Sequence, residues 1–249
     1  MDKWPLPHSL LRALRLSSGK EVTLRLDALE FALADEANRF FASLPDEPWA
    51  RYLSDEGRSS TEAFQRGTHA ALQDDSLAAL VFGRLVLESA IRMLWLGADV
   101  GDEQATKVRL GRLQKRDLSQ LLKASDAMAS MSKAAPLVTD AEHLKEIAKE
   151  TLEKVAPEPK EMAQEAGADP LYAAYRYFAT ASHPGIAARA GIFALIEADE
   201  LLVMLRFAYS VTVTAMGAIA STLFGNAVAE DLKMNVQVMS RGGTLQDES

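Results

Sequence analysis

Arg176 and His183 are the two residues whose types and spacing point most directly to chemistry. They lie seven positions apart in the segment YAAYRYFATASHPG. Seven positions are two turns of a helix, so both side chains project from nearly the same face. Their backbones are separated by about 10 Å along the helix axis, at 1.5 Å per residue. Together they could bind a phosphate if the arginine reaches over or if a second chain contributes.

The position of His183 in the chain favours its protonated form. Pro184 follows directly, and a residue before proline is biased away from the α region, so the helix should end here. The helix dipole stabilises a cation at a helix C-terminus, which suits a general acid or a phosphate-binding group. The alternative is structural, with Arg176 paired to Glu88 and His183 closing a turn.

The helix that must position these residues is predicted at about 76–97, SLAALVFGRLVLESAIRMLWLG, which is apolar on nearly every side. A helix that is apolar all round belongs in a core. Its strongly polar side chains, Arg84, Glu88 and Arg92, are spaced four apart and form one stripe. Buried charge is costly unless it is paired, so another segment must meet this stripe. We expect that segment to be the one that carries Arg176 and His183.

Two interpretations of the stripe stay open. It is either an ion-pair ladder that fixes the register of packed helices, or a site in which Glu88 orients Arg176 or His183. Tyr172 shares the face of Arg176 and could line a pocket, whereas Tyr175 joins an apolar face and is predicted to lie in the core.

Helical periodicity and capping signals predict an all-α, multi-helix bundle with the 76–97 helix at its centre. Asp75 and its neighbours form a cap before that helix, and Ser59 with Glu62 has the capping-box spacing. Residues 156–168 are predicted as a linker because of their prolines and small residues. We expect a single domain over 1–249, with 1–20 as an N-terminal extension and 240–249 as a frayed tail. The predicted helices are 21–44, 59–72, 76–97, 102–131, 139–155 and 170–183, followed by a final helix or helix pair at about 192–234.

Composition narrows the function classes. The chain has 249 residues, a net charge of -8 and no cysteine, which excludes disulfides, thiolate zinc sites and a cysteine nucleophile. Acidic net charge means that nucleic-acid binding would need a local basic patch, for which the run at 107–123 is a candidate unless it is a solvated helix face. The chain start does not read as a secretion signal, so a cytoplasmic location is expected.

Membrane, metal and cofactor sites are not predicted. No charge occurs over 207–229, but this run is rich in small residues and has no flanking basic cluster. We therefore expect a buried helix or an oligomer face there, and no membrane span. The Glu-x-x-His pairs of a dinuclear metal site are missing, as are GxSxG, HExxH and glycine-rich phosphate loops. No metal and no cofactor is expected.

The Arg176 to His183 spacing, late in an all-helical chain, resembles the Arg-x4-6-His motif of the HEPN superfamily. A second resemblance joins FGRLVLESAIRMLWL and YRYFATASHPG to an uncharacterised bacterial all-helical domain family with Arg-x3-Glu and Tyr...Ser-His elements, the latter including Ser182. The HEPN resemblance implies a metal-independent ribonuclease of a toxin or defence system, with Arg176 and His183 catalytic across a homodimer. RNA and an antitoxin or other partner protein would then be its partners.

Two functions follow as expectations. In the first, Arg176 and His183 act on an RNA phosphodiester, with Glu88 in support and with substrate contacts from Arg84, Arg92, Tyr172 and Ser182. In the second, the chain is a non-enzymatic module that binds a ligand or a protein in a polar pocket formed by Arg84, Glu88, Arg92 and His183.

Overall fold

The computed structural model of the chain describes residues 37–131, 157–182 and 196–225. Of these residues 85% are helical and none lies in a strand, which confirms the all-α prediction. Residues 37–42 are helical and precede the first complete helix. Six further helices are α1 Pro48–Leu72, α2 Ser76–Gly97, α3 Glu103–Met131, α4 Pro159–Glu165, α5 Asp169–Ser182 and α6 Ala198–Phe224.

The central helix α2 has the bounds that the sequence predicts. It begins after Asp75, whose side chain accepts a hydrogen bond from the backbone N–H of Ala78 at 3.0 Å. This bond satisfies one of the N–H groups that a helix start leaves without an intrahelical partner. The helix is packed by α1, α4, α5 and α6, and most of its large apolar side chains, including Trp95, are fully buried.

The predicted start of α1 at Ser59 is wrong, because the helix begins eleven residues earlier at Pro48. Glu47 is extended, and Pro48 supplies the fixed φ that suits a first helical position. The residues after Ser59 serve the core instead of a cap, since Ser60 and Thr61 are buried inside the helix.

The predicted linker at 156–168 is also wrong over most of its length, because it contains α4. Pro159 occupies the first position of this helix, where the missing N–H costs no hydrogen bond. Met162 and Ala163 are buried. The indole N–H of Trp95 donates to Glu165 at 2.6 Å, which ties α4 to the central helix.

Within the described residues, one helix, α6, occupies the region predicted as a final helix or helix pair. It begins at Ala198, where the backbone N–H of Glu197 donates to Glu200 at 3.4 Å, and it ends before Gly225. Residues 192–195 and 226–234 of this prediction lie outside the described residues, as do the predicted helix at 139–155 and residues 21–36 of the one at 21–44. By length and composition alone, Glu200–Phe224 is apolar enough to cross a membrane, but 56% of its most apolar window is buried in the protein.

The chain divides into two compact units, Met1–Gly101 with Pro159–Ser249, and Asp102–Glu158. In the second unit, Arg116 of the basic run is buried; it donates to the carbonyl oxygen of Pro157 and pairs with Glu158 at 3.1 Å. Arg116 therefore does not belong to a solvated basic face. The single-domain organisation over 1–249 stays a prediction.

In the first unit, a polar seam joins α1 to α6 inside the core. The hydroxyls of Ser60 and Thr212 lie 2.6 Å apart, and those of Thr61 and Tyr209 lie 2.9 Å apart. The ring of Tyr209 stacks on Phe64 with 4.5 Å between centroids. Burial disfavours the phenolate and raises the pKa of Tyr209 from its ordinary value of 10.0 to about 12, although the hydrogen bond with Thr61 acts in the opposite direction.

This pKa predicts a loss of stability at alkaline pH. Above pH 10 the unfolded chain releases the Tyr209 proton while the folded chain keeps it until about pH 12. The free energy of unfolding therefore falls as pH rises through this window, by about 1.4 kcal/mol per pH unit from this group. Tyr209→Phe should remove this contribution to the slope. It should also lower the free energy of unfolding by about 1 kcal/mol at neutral pH, because the hydrogen bond with Thr61 is lost.

Denaturant unfolding at pH 8 to 11 measures this difference between the wild type and Tyr209→Phe. Tyr177→Phe is the matched control, because the Tyr177 side chain is half exposed. Its alkaline slope should equal that of the wild type. The same slope in Tyr209→Phe as in the wild type would contradict the assignment.

Candidate functional site

The site is positioned by a close contact between α5 and the central helix. A Cβ atom added at Gly83 would lie 2.2 Å from Cε1 of Phe178, so the Phe178 ring occupies the space above bare backbone. Phe178 is almost fully buried. Because Tyr175 lies one turn before Phe178 on the same side of α5, this contact brings Tyr175 to Arg84, the next residue of α2.

The polar stripe of α2 is an ion-pair network with an inner end at Arg92, its more buried arginine, and an outer end at Arg84, its more exposed one. The arginine at the inner end has two carboxylate partners. Nη1 of Arg92 lies 3.0 Å from Glu56, and its Nη2 lies 3.2 Å from Glu88. The three side chains are only 13%, 12% and 18% exposed, respectively. Arg92 is therefore occupied by two carboxylates, one from α1 and one from its own helix.

At the outer end of the network, the ion pair of Arg84 is longer than those of Arg92. Nη2 of Arg84 lies 3.9 Å from Glu88, and its side chain is 31% exposed. The guanidinium carbon of Arg84 lies 5.6 Å from the centroid of the Tyr175 ring, within the range of a cation–π contact. The Nε–H group of Arg84 is buried and has no hydrogen-bond partner among the described residues. An acceptor brought by a ligand would satisfy this group.

Tyr172 extends the same surface. Its ring stacks on that of Tyr175, with 5.9 Å between centroids and 23° between planes. Both tyrosines are half-buried. Arg84, Tyr175 and Tyr172 thus form a continuous row that runs from α2 onto α5, which we name the tyrosine row.

Arg176 is exposed on α5 and has no hydrogen-bond or ion-pair partner among the described residues. The described partners of Glu88 are instead Arg84 and Arg92, both from its own helix. The predicted alternative, an ion pair between Arg176 and Glu88, is therefore not present among the described residues. Ser182 is the last described residue of α5, and His183 lies outside the described residues.

Glu56 is the member of the network that the sequence interpretation missed. A start at Ser59, as the sequence predicts, places Glu56 outside any helix, whereas α1 begins at Pro48 and includes it. Once α1 is extended to Pro48, Glu56 falls beside the buried residues Leu53, Gly57 and Ser60. The signal in the sequence is an acidic residue beside positions that become the buried face of the helix once it is extended to Pro48. Tyr175, which the sequence predicts to join an apolar face in the core, is half-buried; it packs against the core cluster and also contacts Arg84.

Other features of the described residues do not add to this site. No group of three or more metal-ligating side chains occurs in the parts of the chain that the structure describes. An open cleft of about 520 Å³ is lined by Tyr177, Ile196, Glu200, Val203 and Met204, none of which belongs to the network or to the tyrosine row.

Comparison of the chain with protein-family models, with curated proteins and with solved structures finds no match. The resemblance to HEPN proteins therefore rests on the residues of the Arg176 to His183 segment.

The network predicts that Glu88 is worth more to stability than a surface carboxylate. Glu88→Gln removes the charge shared by two partly buried arginines, and it should lower the free energy of unfolding by about 1 to 3 kcal/mol. The matched control is Glu62→Gln, because Glu62 pairs with Arg66 at 3.9 Å on an exposed surface of α1. That change should cost less than about 0.5 kcal/mol. Urea unfolding measures both, and equal losses would show that the network does not stabilise the fold.

Proposed function

We propose that the chain is a HEPN-like, metal-independent ribonuclease of a toxin or defence system that acts in the cytoplasm as a homodimer. The observation that carries the proposal is the state of Arg176. It is exposed and unpaired among the described residues, whereas Arg84 and Arg92 both have acidic neighbours. An arginine that binds a substrate phosphate must have its guanidinium available in this way.

The proposed reaction is an internal transfer at a phosphodiester. The ribose 2′-oxygen forms a bond to phosphorus, the bond from phosphorus to the 5′-oxygen breaks, and the products are a 2′,3′-cyclic phosphate and a 5′-hydroxyl. Arg176 stabilises the charge on the phosphate oxygens, and His183 moves the proton of the 2′-hydroxyl or of the leaving oxygen. Such a reaction calls for no metal ion or cofactor.

The spacing of the two residues supports the proposed dimer. Arg176 and His183 are separated by about 10 Å of helix axis if the helix continues to the histidine, so one phosphate is shared most readily when each copy supplies one of the two groups. An antitoxin or other partner protein would act by covering this surface.

Substitution of the two residues tests the ribonuclease. His183→Ala should lower RNA cleavage in the presence of EDTA by about 10² to 10⁴-fold, the usual worth of a general acid or base. Arg176→Ala should lower it by about 10² to 10³-fold through lost charge stabilisation. Arg58→Ala is the matched control, because Arg58 is an exposed arginine whose ion pair with Asp55 spans 3.9 Å. It should cleave like the wild type, and all variants should unfold at the same denaturant concentration.

Three outcomes would contradict the proposal. These are no cleavage of any RNA by the wild-type dimer, cleavage that EDTA abolishes, and unaltered cleavage by His183→Ala.

A second candidate function, a module that binds a ligand at the polar cluster, is favoured by one observation, the unpartnered buried Nε–H of Arg84. A buried donor without an acceptor costs about 1 to 3 kcal/mol, so a ligand that supplies one gains that energy on binding. Because Arg92 is occupied by Glu56 and Glu88, such a pocket would rely on Arg84.

Thermal unfolding with inorganic phosphate or small carboxylates tests this module. A ligand at 100 times its Kd adds about 2.7 kcal/mol to the free energy of unfolding and raises Tm by several degrees. Arg84→Met should lose this shift, while Arg66→Met, at an exposed arginine of α1, should keep it. A module of this kind is ruled out if the wild type shows no shift with any anion, or if Arg84→Met shifts equally.

A further inference from the structure

Tyr172 and Arg176 present two different chemistries from one side of α5. They are four positions apart, so their Cβ atoms lie about 5 to 6 Å from each other on neighbouring turns. Tyr172 is half-buried, and Arg176 is exposed without a partner among the described residues. A planar aromatic face therefore lies beside a cation available to an anion.

Tyr172 is supported before any ligand arrives. Its ring stacks on Tyr175, and Arg84 of the central helix lies over the Tyr175 ring. The contact between Phe178 and Gly83 sets the position of α5 beneath both tyrosines. Since binding to a preorganised side chain costs little conformational entropy, the tyrosine row is suited to hold a flat ligand.

We propose that Tyr172, supported by Tyr175 and Arg84, stacks on the nucleobase of the nucleotide whose phosphate is bound by Arg176. This inference rests on the proposed ribonuclease function, because it names the part of the substrate next to the scissile phosphate. Aromatic side chains stack with any base, since every base has a π-face, and arginine adds a phosphate contact. The base must be unpaired to stack in this way, so the target is a single-stranded or looped RNA segment.

A bare phosphate is the competing ligand, and it has no aromatic face that could stack on the tyrosine row. A phosphate would contact Arg176 alone, whereas a nucleotide would contact both residues. Substitution of Tyr172 therefore separates the two, because it should leave phosphate binding unchanged and weaken nucleotide binding.

The experiment uses the full chain and a short single-stranded RNA that carries 2-aminopurine beside a 2′-deoxy residue, which prevents cleavage at that linkage. Stacking on a tyrosine should quench the 2-aminopurine fluorescence in the wild type. Tyr172→Leu should remove the quenching and weaken binding by about 5- to 150-fold, the worth of one base–aromatic stack. Tyr172→Phe keeps the aromatic face and should behave like the wild type.

The matched control is Tyr177→Leu. Tyr177 is half exposed on the same helix but lies about 140° around its axis from Tyr172. It should bind and quench like the wild type, and urea unfolding of each variant shows whether it is folded. The proposal is overturned if Tyr172→Leu quenches like the wild type, or if Tyr172→Phe loses as much as Tyr172→Leu.

The failures of the two proposals are distinguishable. If Tyr172 of the wild type quenches the 2-aminopurine fluorescence but no RNA is cleaved, the base-stacking proposal is supported and the ribonuclease proposal is contradicted. If RNA is cleaved but Tyr172→Leu changes neither the quenching nor the KM, the ribonuclease stands and base stacking falls.

Discussion

The close approach of neighbouring side chains to the bare backbone of α2 is the constraint on which the rest of the structure depends. Phe178 fills the space above Gly83, and Ile219 lies above Gly97, where an added Cβ would be 2.7 Å from its Cγ1. A helix that packs against several others can accept them only if some of them come nearer than an ordinary side chain allows. These two contacts set the heights of α5 and α6 along α2, and the first of them places Tyr175 beside Arg84.

The charges of α2 are tolerated inside this packing because their pairing follows their depth. Arg92, which is 13% exposed, is matched by two carboxylates at 3.0 and 3.2 Å, whereas Arg84, at 31% exposure, has one at 3.9 Å. Desolvation costs grow with burial, so the deeper arginine requires the closer partners. The inner end of the network therefore joins α1 to α2, while the outer end has hydrogen-bonding capacity left over.

Local signals in the sequence predicted α2 correctly because its cap, its apolar run and its lack of proline all agree. They failed at α1, where a capping-box spacing at Ser59 suggested a start inside a helix that Pro48 begins. They fail again at α4, because a proline can open a helix as well as interrupt one, and Pro159 opens α4. The Arg84 to Arg92 spacing revealed the pairs within α2, but not the pair with Glu56. A contact between helices depends on which surfaces pack, and periodicity within one helix does not contain that information.

The side chains of α5 divide into those that pack against α2 and those that lie away from this contact. Phe178, on one side, is buried and holds the helix to α2. Tyr172 and Arg176 lie 120° and 160° around the axis from it, at 100° per residue, so they lie away from this contact. An exposed side chain such as that of Arg176 contributes little to the free energy of unfolding, whereas Tyr172 is half-buried against Tyr175. A half-buried aromatic ring beside an exposed arginine that has no partner in the described part of the chain is a combination that packing alone does not require.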